Sequence, residues 1–252
     1  MIQKNEEKSS KKGGEHKIRI VFEDKEFLVV DKPSGLLTHE TEKKSGEKEN
    51  TLVSWLKEHY PETKHVGDKP ETRPGIVHRL DKETSGLMVI AKSQAFYEYF
   101  KCLLQKHEVK KTYLALVCGI IEKAQIIDAP IGLKPGSVKR STRAKKMKMI
   151  KEATTEIHPI KRYKKGGEEY TLLRVFPKTG RTHQIRVHLA SIGRPIVGDK
   201  LYGKQKGGIG LERHFLHAEA LEFSLENGKR IRFESDLPNE LKSLLKILLL
   251  NH

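Results

Sequence analysis

Cysteines are few in this sequence, and long apolar runs are missing. The two cysteines, Cys102 and Cys118, match no metal-ligand spacing and are too few for the disulfide framework of a small secreted domain. The longest apolar run, residues 244–250, is interrupted by Lys246 and falls short of the roughly 20 residues that a membrane-spanning helix needs. Residues 1–16 do not contain the apolar run that forms the core of a signal peptide. We therefore expect a cytoplasmic protein with reduced thiols and no membrane segment.

Signatures of nucleotide and metal sites are also missing. The chain contains no G-x-x-x-x-G-K-[ST] phosphate loop, no G-x-G-x-x-G dinucleotide motif and no G-x-S-x-G nucleophile elbow. His183 and His188 lie five residues apart, which is not the i, i+4 spacing of a helical metal site, and no cysteine or acidic cluster accompanies them. These absences predict a protein with no nucleotide cofactor and no metal ion.

Positive charge, in contrast, is abundant and unevenly distributed. The 252 residues include 49 Lys and Arg against 33 Asp and Glu, a formal net charge of +16, and the hydrophobic fraction of 36% still suffices for a folded core. Residues 134–151 carry eight of these basic residues and no acidic one. Such a run is typical of a phosphate-binding surface, because each contact releases counterions from a nucleic acid; a solvated loop is the alternative. The candidate contacts are Lys139, Arg140, Arg143, Lys145, Lys146 and Lys148.

The spacing of apolar residues predicts one folded domain over residues 17–252, preceded by a disordered polar tail at residues 1–16. Alternating and continuous apolar runs predict strands at 18–22, 27–31, 76–77, 87–91, 113–117 and 171–176, and a hairpin of 215–223 with 229–233. Helices are predicted after the caps Asn50 and Ser93, over 185–192, and from Pro238. Because helices and strands show no regular βαβ order, the α+β class is favoured over a doubly wound sheet.

Two short segments concentrate reactive side chains. In HRLDKETSG, residues 78–86, Asp81 lies beside small hydroxyl residues that leave room for a substrate, and it can serve as nucleophile, base or metal ligand. A plain turn is the alternative interpretation of that segment. In GRTHQIRVH, residues 180–188, Arg181 and Arg186 suit anion binding or pairing with a buried carboxylate, and a structural salt bridge is the alternative.

The order of these segments resembles the RluA family of RNA pseudouridine synthases. HRLDKETSG followed by LMVIAK is similar to the family's segment around its catalytic aspartate, and GRTHQIRVHLASIGRPIVGDKLYG is similar to its third motif along nearly the full length. Three further segments are similar in the same order, namely DKPSGL at 31–36, VKKTYLALV at 109–117 and FLHAEALEF at 215–223. Five such segments in one order make chance similarity very improbable.

The resemblance implies an isomerase that converts uridine in RNA to pseudouridine on a mixed, largely antiparallel sheet flanked by helices and loops. Asp81 matches the nucleophile, which detaches the base so that it rotates and rejoins its ribose through carbon; attack on the base and attack on the sugar both stay open. Tyr113 matches the tyrosine that stacks on the base and moves a proton, although a tyrosine entering a strand is most often a packing residue. Arg186 matches the arginine that pairs with the catalytic carboxylate. Neither a cofactor nor a metal is implied.

RNA contacts are implied around that centre. Arg79 matches a residue that helps to extrude the target nucleotide, since a stacked base cannot be reached by a side chain. Arg181 and His183, in the third motif, are expected to contact RNA as well. Many relatives carry an N-terminal S4 RNA-binding module, which we expect to be absent here, so the catalytic domain and its basic run are expected to recognise the RNA. The expected partner is structured ribosomal or transfer RNA, bound by a monomer.

Two other functions stay open from the sequence. A non-catalytic RNA-binding protein that retains the fold, such as a ribosome-assembly factor, would keep the basic run without isomerase activity. A metal-dependent nuclease would cleave RNA and lose that activity with EDTA. Replacement of Asp81 by Ala or Asn separates an enzyme from a binding protein, because only the enzyme loses a reaction product.

Overall fold

The structure is a computed structural model that describes residues 17–40, 50–137, 139–142, 147–203 and 209–249. Its elements in chain order are β1 (Arg19–Glu23), β2 (Phe27–Lys32), α1 (Leu52–His59), a 3-10 helix (Pro61–His65), β3 (Ser85–Ala91), α2 (Gln94–Gln105), β4 (Lys110–Cys118), β5 (Gln125–Asp128), β6 (Ile131–Leu133), β7 (Arg140–Ser141), β8 (Lys148–Lys151), β9 (Thr154–Lys165), β10 (Glu168–Pro177), α3 (Gln184–Ser191), β11 (Leu216–Ser224), β12 (Arg230–Glu234) and α4 (Asn239–Leu249). In these ranges, no helix is both long enough and apolar enough to cross a membrane.

Two compact units divide the chain. The first comprises residues 1–109 and 220–235, and the second comprises residues 110–219 and 236–252. Both combine antiparallel strand pairs with helices, so the predicted α+β class with largely antiparallel strands is confirmed. The single catalytic domain over 17–252 stays a prediction, and the tail predicted at 1–16 lies outside the described residues.

The first unit contains two antiparallel ladders, β1–β2–β3 and β11–β12, whose core includes α2. In the strand order β11 follows β3, and the first unit includes its residues from Ala220 onward. The apolar stripe of α2 supplies aromatic rings to this core. Phe96 stacks on Phe27 with ring centroids 4.4 Å apart, and Phe100 meets Phe223 edge to face at 4.9 Å. Each such pair adds about 0.5–1.5 kcal/mol beyond its burial, so α2 is held against β2 and β11.

The second unit contains the strand order β4–β10–β9–β5, helices α3 and α4, and a separate small sheet, β7–β6–β8. Its core is mainly aliphatic and includes Leu116, Leu173, Leu189 and Leu241. The ladder between β4 and β10 ends at the pair Tyr113 and Val175. After this pair β10 ends at Pro177, and residues 178–183 connect it to α3. Tyr113 and this connecting segment therefore lie at the same end of the β4–β10 ladder.

Several predicted elements differ from the structure in detail. The prediction of Asn50 as the cap of α1 is wrong: the Thr51 side chain accepts from the Ser54 N–H and the Ser54 hydroxyl accepts from the Thr51 N–H, which is a capping box. The strand predicted at 76–77 is also wrong, since Ile76 forms only an isolated bridge to Ile90. Strands β5 to β9 were not predicted from the sequence. The prediction of Ser93 as the N-cap of α2 is confirmed, and so is the hairpin of β11 and β12 around Asn227-Gly228.

Candidate active site

Asp81 lies on a loop that is hydrogen-bonded to a second loop of the same unit. We call residues 78–84, which precede β3, the aspartate loop, and residues 33–40, which follow β2, the bracing loop. Three hydrogen bonds to carbonyls of the aspartate loop join them, from the Gly35 N–H to the Lys82 carbonyl at 2.9 Å, from the Ser34 hydroxyl to the Glu83 carbonyl at 3.0 Å, and from the Thr38 hydroxyl to the Leu80 carbonyl at 3.0 Å. Gly35 has a φ of 86°, a conformation in which a side chain would be strained. The bracing loop thereby holds the backbone on both sides of Asp81.

Lys32 anchors both loops from inside the unit. Its side chain is 0% exposed, and its ammonium donates to the carbonyls of Pro33 and Leu36 at 2.9 Å and of Lys82 at 3.1 Å. Burial of an ammonium costs roughly several kcal/mol of solvation free energy unless hydrogen-bond acceptors replace its hydration shell. Because these acceptors belong to both loops, the Lys32 ammonium ties the two loops to the end of β2.

Arg79 lies close to Asp81 and is hydrogen-bonded to a buried histidine. Its Nη1 donates to Nε2 of His39 over 3.3 Å, and His39 is only 7% exposed. Burial, followed by the positive charges of Arg79 and Arg73, lowers the pKa of His39 to about 4, so the imidazole is neutral near neutral pH. Partial burial lowers the pKa of Arg79, and the Asp81 carboxylate acts in the opposite direction. A neutral acceptor therefore positions this guanidinium next to the predicted nucleophile.

The aspartate loop also contains the turn that the alternative interpretation predicted. The backbone carbonyl of Asp81 accepts from the Thr84 N–H over 3.1 Å, and Thr84 and Ser85 are buried behind it. His78, at the start of the loop, accepts at Nε2 from the Val89 N–H over 2.9 Å, which fixes the loop to β3. Asp81 itself is partly buried. Turn and carboxylate thus occur together on a backbone that is held at both ends.

Arg186, in the second unit, is paired with a buried aspartate. Its Nε donates to Oδ2 of Asp199 over 2.8 Å and its Nη2 donates to Oδ1 over 2.9 Å. Oδ1 of Asp199 also accepts from the N–H groups of Leu201 and Tyr202 at 2.9 and 3.1 Å. Burial by itself would raise the pKa of Asp199, but the hydrogen bonds and charge of Arg186, together with these N–H groups, hold the pKa below its ordinary value. Arg186 is therefore a fixed cation at the start of α3.

Tyr202 brings three of the predicted site residues together. The guanidinium carbon of Arg186 lies 5.2 Å from the centre of the Tyr202 ring, a cation–π geometry. The Tyr202 hydroxyl accepts from the Arg140 N–H and is hydrogen-bonded to Nδ1 of His183, both at 2.9 Å. His183 is the N-cap residue of α3, and its side chain makes no capping hydrogen bond. Its backbone is in the left-handed conformation, with φ of 57°, which is uncommon for a residue with a side chain and is enriched at functional sites.

The segment before α3 is locked by Gln184. Its side-chain carbonyl accepts from the Thr179 hydroxyl at 2.6 Å and from the Arg181 N–H at 2.9 Å, while its amide nitrogen donates to the Thr154 carbonyl at 3.0 Å. Arg181 is partly buried, and its Nε donates to the Glu152 carbonyl over 2.9 Å. This segment therefore has a defined conformation next to β9.

The remaining predicted residues are spread over the second unit. Tyr113 is partly buried on β4 and packs against the aliphatic core. Lys139 and Lys148 are exposed, and Arg140 is partly buried on β7. Arg143, Lys145 and Lys146 lie outside the described residues. Within the described ranges, no group of three or more His, Cys, Asp or Glu side chains is arranged to hold a metal ion.

Four residues of these sites were not singled out from the sequence, namely Lys32, His39, Asp199 and Tyr202. Lys32 and the Asp199–Tyr202 stretch lie inside segments that carried the family resemblance, which was the available signal. Their partners are far away in sequence: Lys32 contacts a carbonyl 50 residues away and Asp199 contacts Arg186, 13 residues away. Residue spacing along one segment contains no information on such contacts.

The chain is similar to known proteins over most of its length. A family model described as RNA pseudouridylate synthase matches residues 26–191. The ribosomal large subunit pseudouridine synthase D of Nitrosomonas europaea is 39% identical over 240 residues, which cover 92% of this chain and 65% of the relative. The protein of the same name from Pseudomonas aeruginosa is 37% identical over 247 residues, which cover 92% of this chain and 72% of the relative. The chain thus spans slightly less than two thirds of the first relative and somewhat more of the second.

Two solved structures share the fold. The human RNA pseudouridylate synthase domain containing 1 superimposes with a TM-score of 0.69 at 24% identity, covering 95% of this chain and 98% of the other. The human RNA pseudouridylate synthase domain containing 4 also gives a TM-score of 0.69 at 24% identity, covering 91% and 92%. At this level of identity the two structures confirm the fold alone.

Proposed function

Because this chain belongs to the RNA pseudouridylate synthase family, whose members isomerise uridine in RNA, we propose that it converts specific uridines of large-subunit ribosomal RNA to pseudouridine. The names of the relatives from Nitrosomonas europaea and Pseudomonas aeruginosa support the ribosomal substrate. Transfer RNA, which the sequence left open, has no corresponding support from these two relatives. Ribosomal RNA is made in the cytoplasm of such bacteria, which supports the predicted cytoplasmic location.

The proposed reaction requires a nucleophile, but no oxidant and no added group. The bond between N1 of uracil and C1′ of ribose breaks, and a bond between C5 and C1′ forms. C5 loses a proton and N1 gains one, so the product is an isomer of the substrate. We assign the nucleophile to Asp81, which attacks either the base or the sugar and holds that fragment while the base rotates. The observation that supports this assignment is the aspartate loop, whose backbone is fixed by the bracing loop and by Lys32.

The other predicted roles are kept as proposals. Tyr113 stacks on the base and moves a proton, and Arg186 supports the catalytic carboxylate. Arg79, positioned by His39, fills the space that the extruded nucleotide leaves. The RNA contacts proposed from the sequence are Arg79, Lys139, Arg140, Arg143, Lys145, Lys146, Lys148, Arg181 and His183, on a monomer that needs no nucleotide cofactor.

The proposal is tested with Asp81→Asn and Asp81→Ala. The substrate is a large-subunit ribosomal RNA transcript labelled with tritium at C5 of its uridines, because pseudouridine formation releases that tritium. We expect both variants to lose activity by at least about a thousandfold, as expected when a nucleophile is removed. Their affinity for the same transcript should stay close to that of the wild type.

Glu83→Gln is the matched control, since it removes a carboxylate from the same loop and should retain activity. Tritium release by the Asp81 variants at the wild-type rate would contradict the assignment of Asp81. Absence of release by the wild-type protein, with intact RNA and tight binding, would favour the non-catalytic RNA-binding protein. RNA cleavage that EDTA abolishes would favour the nuclease.

A further inference from the structure

Lys111 is a basic residue of β4 whose ammonium has no acceptor among the residues that the structure describes. Side chains alternate along a strand, so Lys111 and Tyr113 share one face of β4, whereas Lys110 and Thr112 share the other. Lys110 is exposed at the start of the strand and Thr112 is buried, whereas Lys111 and Tyr113 are both partly buried, so their face of β4 is partly open at this end. Lys111 therefore differs from a solvated surface lysine and lies on the same face as the tyrosine assigned to the reaction.

The segment before α3 leaves room for this ammonium. A Cβ atom placed on Gly180 would lie 3.7 Å from Lys111 Nζ, so the lysine head group lies beside Gly180. Arg181 follows in the chain and is the charged residue whose field acts on Lys111. The Arg181 Nε donates to the Glu152 carbonyl, and the two terminal nitrogens of Arg181 have no acceptor among the described residues. Two cations thus lie close together without a described anion.

This arrangement is unfavourable for the protein alone. Burial, and then the positive charge of Arg181, lowers the pKa of Lys111 to about 8. A partly buried ammonium next to a guanidinium loses hydration and is repelled, and neither cost is offset by a carboxylate within the described residues. An anion that bridges the two groups would reverse both effects. Arg donors match the oxygens of a phosphate in a forked geometry, and Lys supplies a point charge to the same group.

We propose that Lys111 and Arg181 form a binding site for one phosphate group of the substrate RNA, on the same face of β4 as Tyr113. This inference rests on the proposed function and extends it, because it names a part of the substrate and the two side chains that hold it. The Lys111 ammonium and the terminal nitrogens of Arg181 donate to the phosphate oxygens. The site holds the RNA backbone and takes no part in the bond changes of the base.

The test compares Lys111→Met, Lys111→Arg and the control Lys110→Met in filter binding to a large-subunit ribosomal RNA transcript. Lys110→Met removes the same charge from an exposed position whose side chain points to the opposite face of β4. We expect Lys111→Met to weaken binding about tenfold and to reduce the slope of log affinity against log salt by about 1. Lys110→Met should change both quantities much less. Arg181→Gln should weaken binding in the same way, and the double variant should lose less than the product of the two single losses.

The dependence on pH gives a readout that a structural role would not produce. Lys111 is charged below a pKa of about 8 and neutral above it, so wild-type affinity should fall as pH rises beyond that value. Lys111→Arg keeps its charge and should keep its affinity over that range, while Lys111→Met should be weak at every pH. Lys111→Met should also unfold at the same temperature as the wild type or higher, because it removes an uncompensated charge.

Equal losses of RNA affinity in Lys111→Met and Lys110→Met would overturn the inference, since they would show that only the net charge of the protein matters and not the position of Lys111. Unchanged affinity with a reduced rate of tritium release in Lys111→Met would also overturn it, since Lys111 would then act in the chemistry. If Lys111→Met fails to fold, Lys111→Arg and Arg181→Gln decide by the pH profile and the salt slope. Failure of the proposed function is distinguishable, because the wild-type protein would then release no tritium while its binding could still be measured.

Discussion

Asp199 is the residue that holds Arg186 in place at the start of α3. The two side chains form a bidentate pair, with side-chain exposures of 8% for Arg186 and 0% for Asp199. The sequence left a structural salt bridge open as an alternative for Arg186, and this pair matches that alternative. The pairing of Arg186 with the catalytic carboxylate stays a prediction. A buried pair of this kind is expensive to break, because the remaining partner keeps a buried charge.

We expect Asp199→Asn to lower the free energy of unfolding by about 3–5 kcal/mol at about pH 7. The pKa of Asp199 is held below its ordinary value of about 3.9, so its ionised form stabilises the fold above that value. This contribution is lost as pH falls through the lower folded-state pKa. The difference between wild type and variant should therefore shrink between about pH 4 and the acid limit of folding, as measured by urea titration.

Asp236→Asn is the matched control, because the Asp236 side chain is 90% exposed and belongs to the same unit. It should change the free energy of unfolding by no more than about 0.5 kcal/mol. A difference between wild type and Asp199→Asn that is the same at every pH would show that the charge of Asp199 does not stabilise the fold.

At the scale of elements, the bracing loop explains why the segment DKPSGL accompanies the aspartate loop. A loop without regular structure is positioned by the hydrogen bonds of its own backbone, and here those bonds come from Lys32, Ser34, Gly35 and Thr38. Helices and strands predicted from strong periodicity, such as α2 and β3, were found where expected. The two loops could be recognised by resemblance, but the contacts between them could not be read from spacing.

We expect Lys32→Met to lower the free energy of unfolding by about 1–3 kcal/mol, because it leaves buried carbonyls of both loops without their donor. Urea titration measures this loss. Hydrogen exchange of the Gly35 amide, which donates to the Lys82 carbonyl, should become faster than in the wild type. Lys25→Met is the control, since the Lys25 side chain is 89% exposed. Unchanged Gly35 exchange in Lys32→Met would show that Lys32 does not hold the loops together.

Strand β9 shows why part of the fold was missed from the sequence. Its residues TTEIHPIKRYKK include a proline and four basic side chains, a composition typical of a loop. In the structure, Pro159 and Lys161 face Leu173 and Leu172, and the register shifts between these pairs. A proline is tolerated at such an irregularity because the ladder lacks a hydrogen bond there. Pairing with β10 on one side and β5 on the other imposes the strand despite its composition.

At the scale of the whole molecule, the predicted family and the isomerase class that it implies are confirmed by the family match and the relatives. The charge excess of +16 agrees with an RNA partner, which the family match supports. Part of the basic run forms the small sheet β7–β6–β8, where every residue of β8 is exposed. The run is therefore not entirely a solvated loop, which was the alternative interpretation.

We expect simultaneous replacement of Lys145, Lys146 and Lys148 by Met to reduce the slope of log affinity against log salt by about 2, because three phosphate contacts are lost. Filter binding of the ribosomal RNA transcript at several salt concentrations measures the slope. The control replaces Lys25, Lys106 and Lys229, three exposed lysines, and has the same net charge. Equal slopes in the two triple variants would place the phosphate contacts elsewhere on the molecule.

The sequence by itself determined the family, the reaction class and the nature of the partner, because these depend on motifs and charges that are local in the chain. HRLDKETSG and GRTHQIRVH pointed to Asp81 and Arg186 as candidate site residues, and the basic run indicated a nucleic-acid partner. The tertiary structure decided which groups hold them: Lys32 the aspartate loop, His39 the guanidinium of Arg79, and Asp199 the side chain of Arg186. These partners are separated by 13 to 50 residues, and only chain folding brings a donor at one such position to an acceptor at the other.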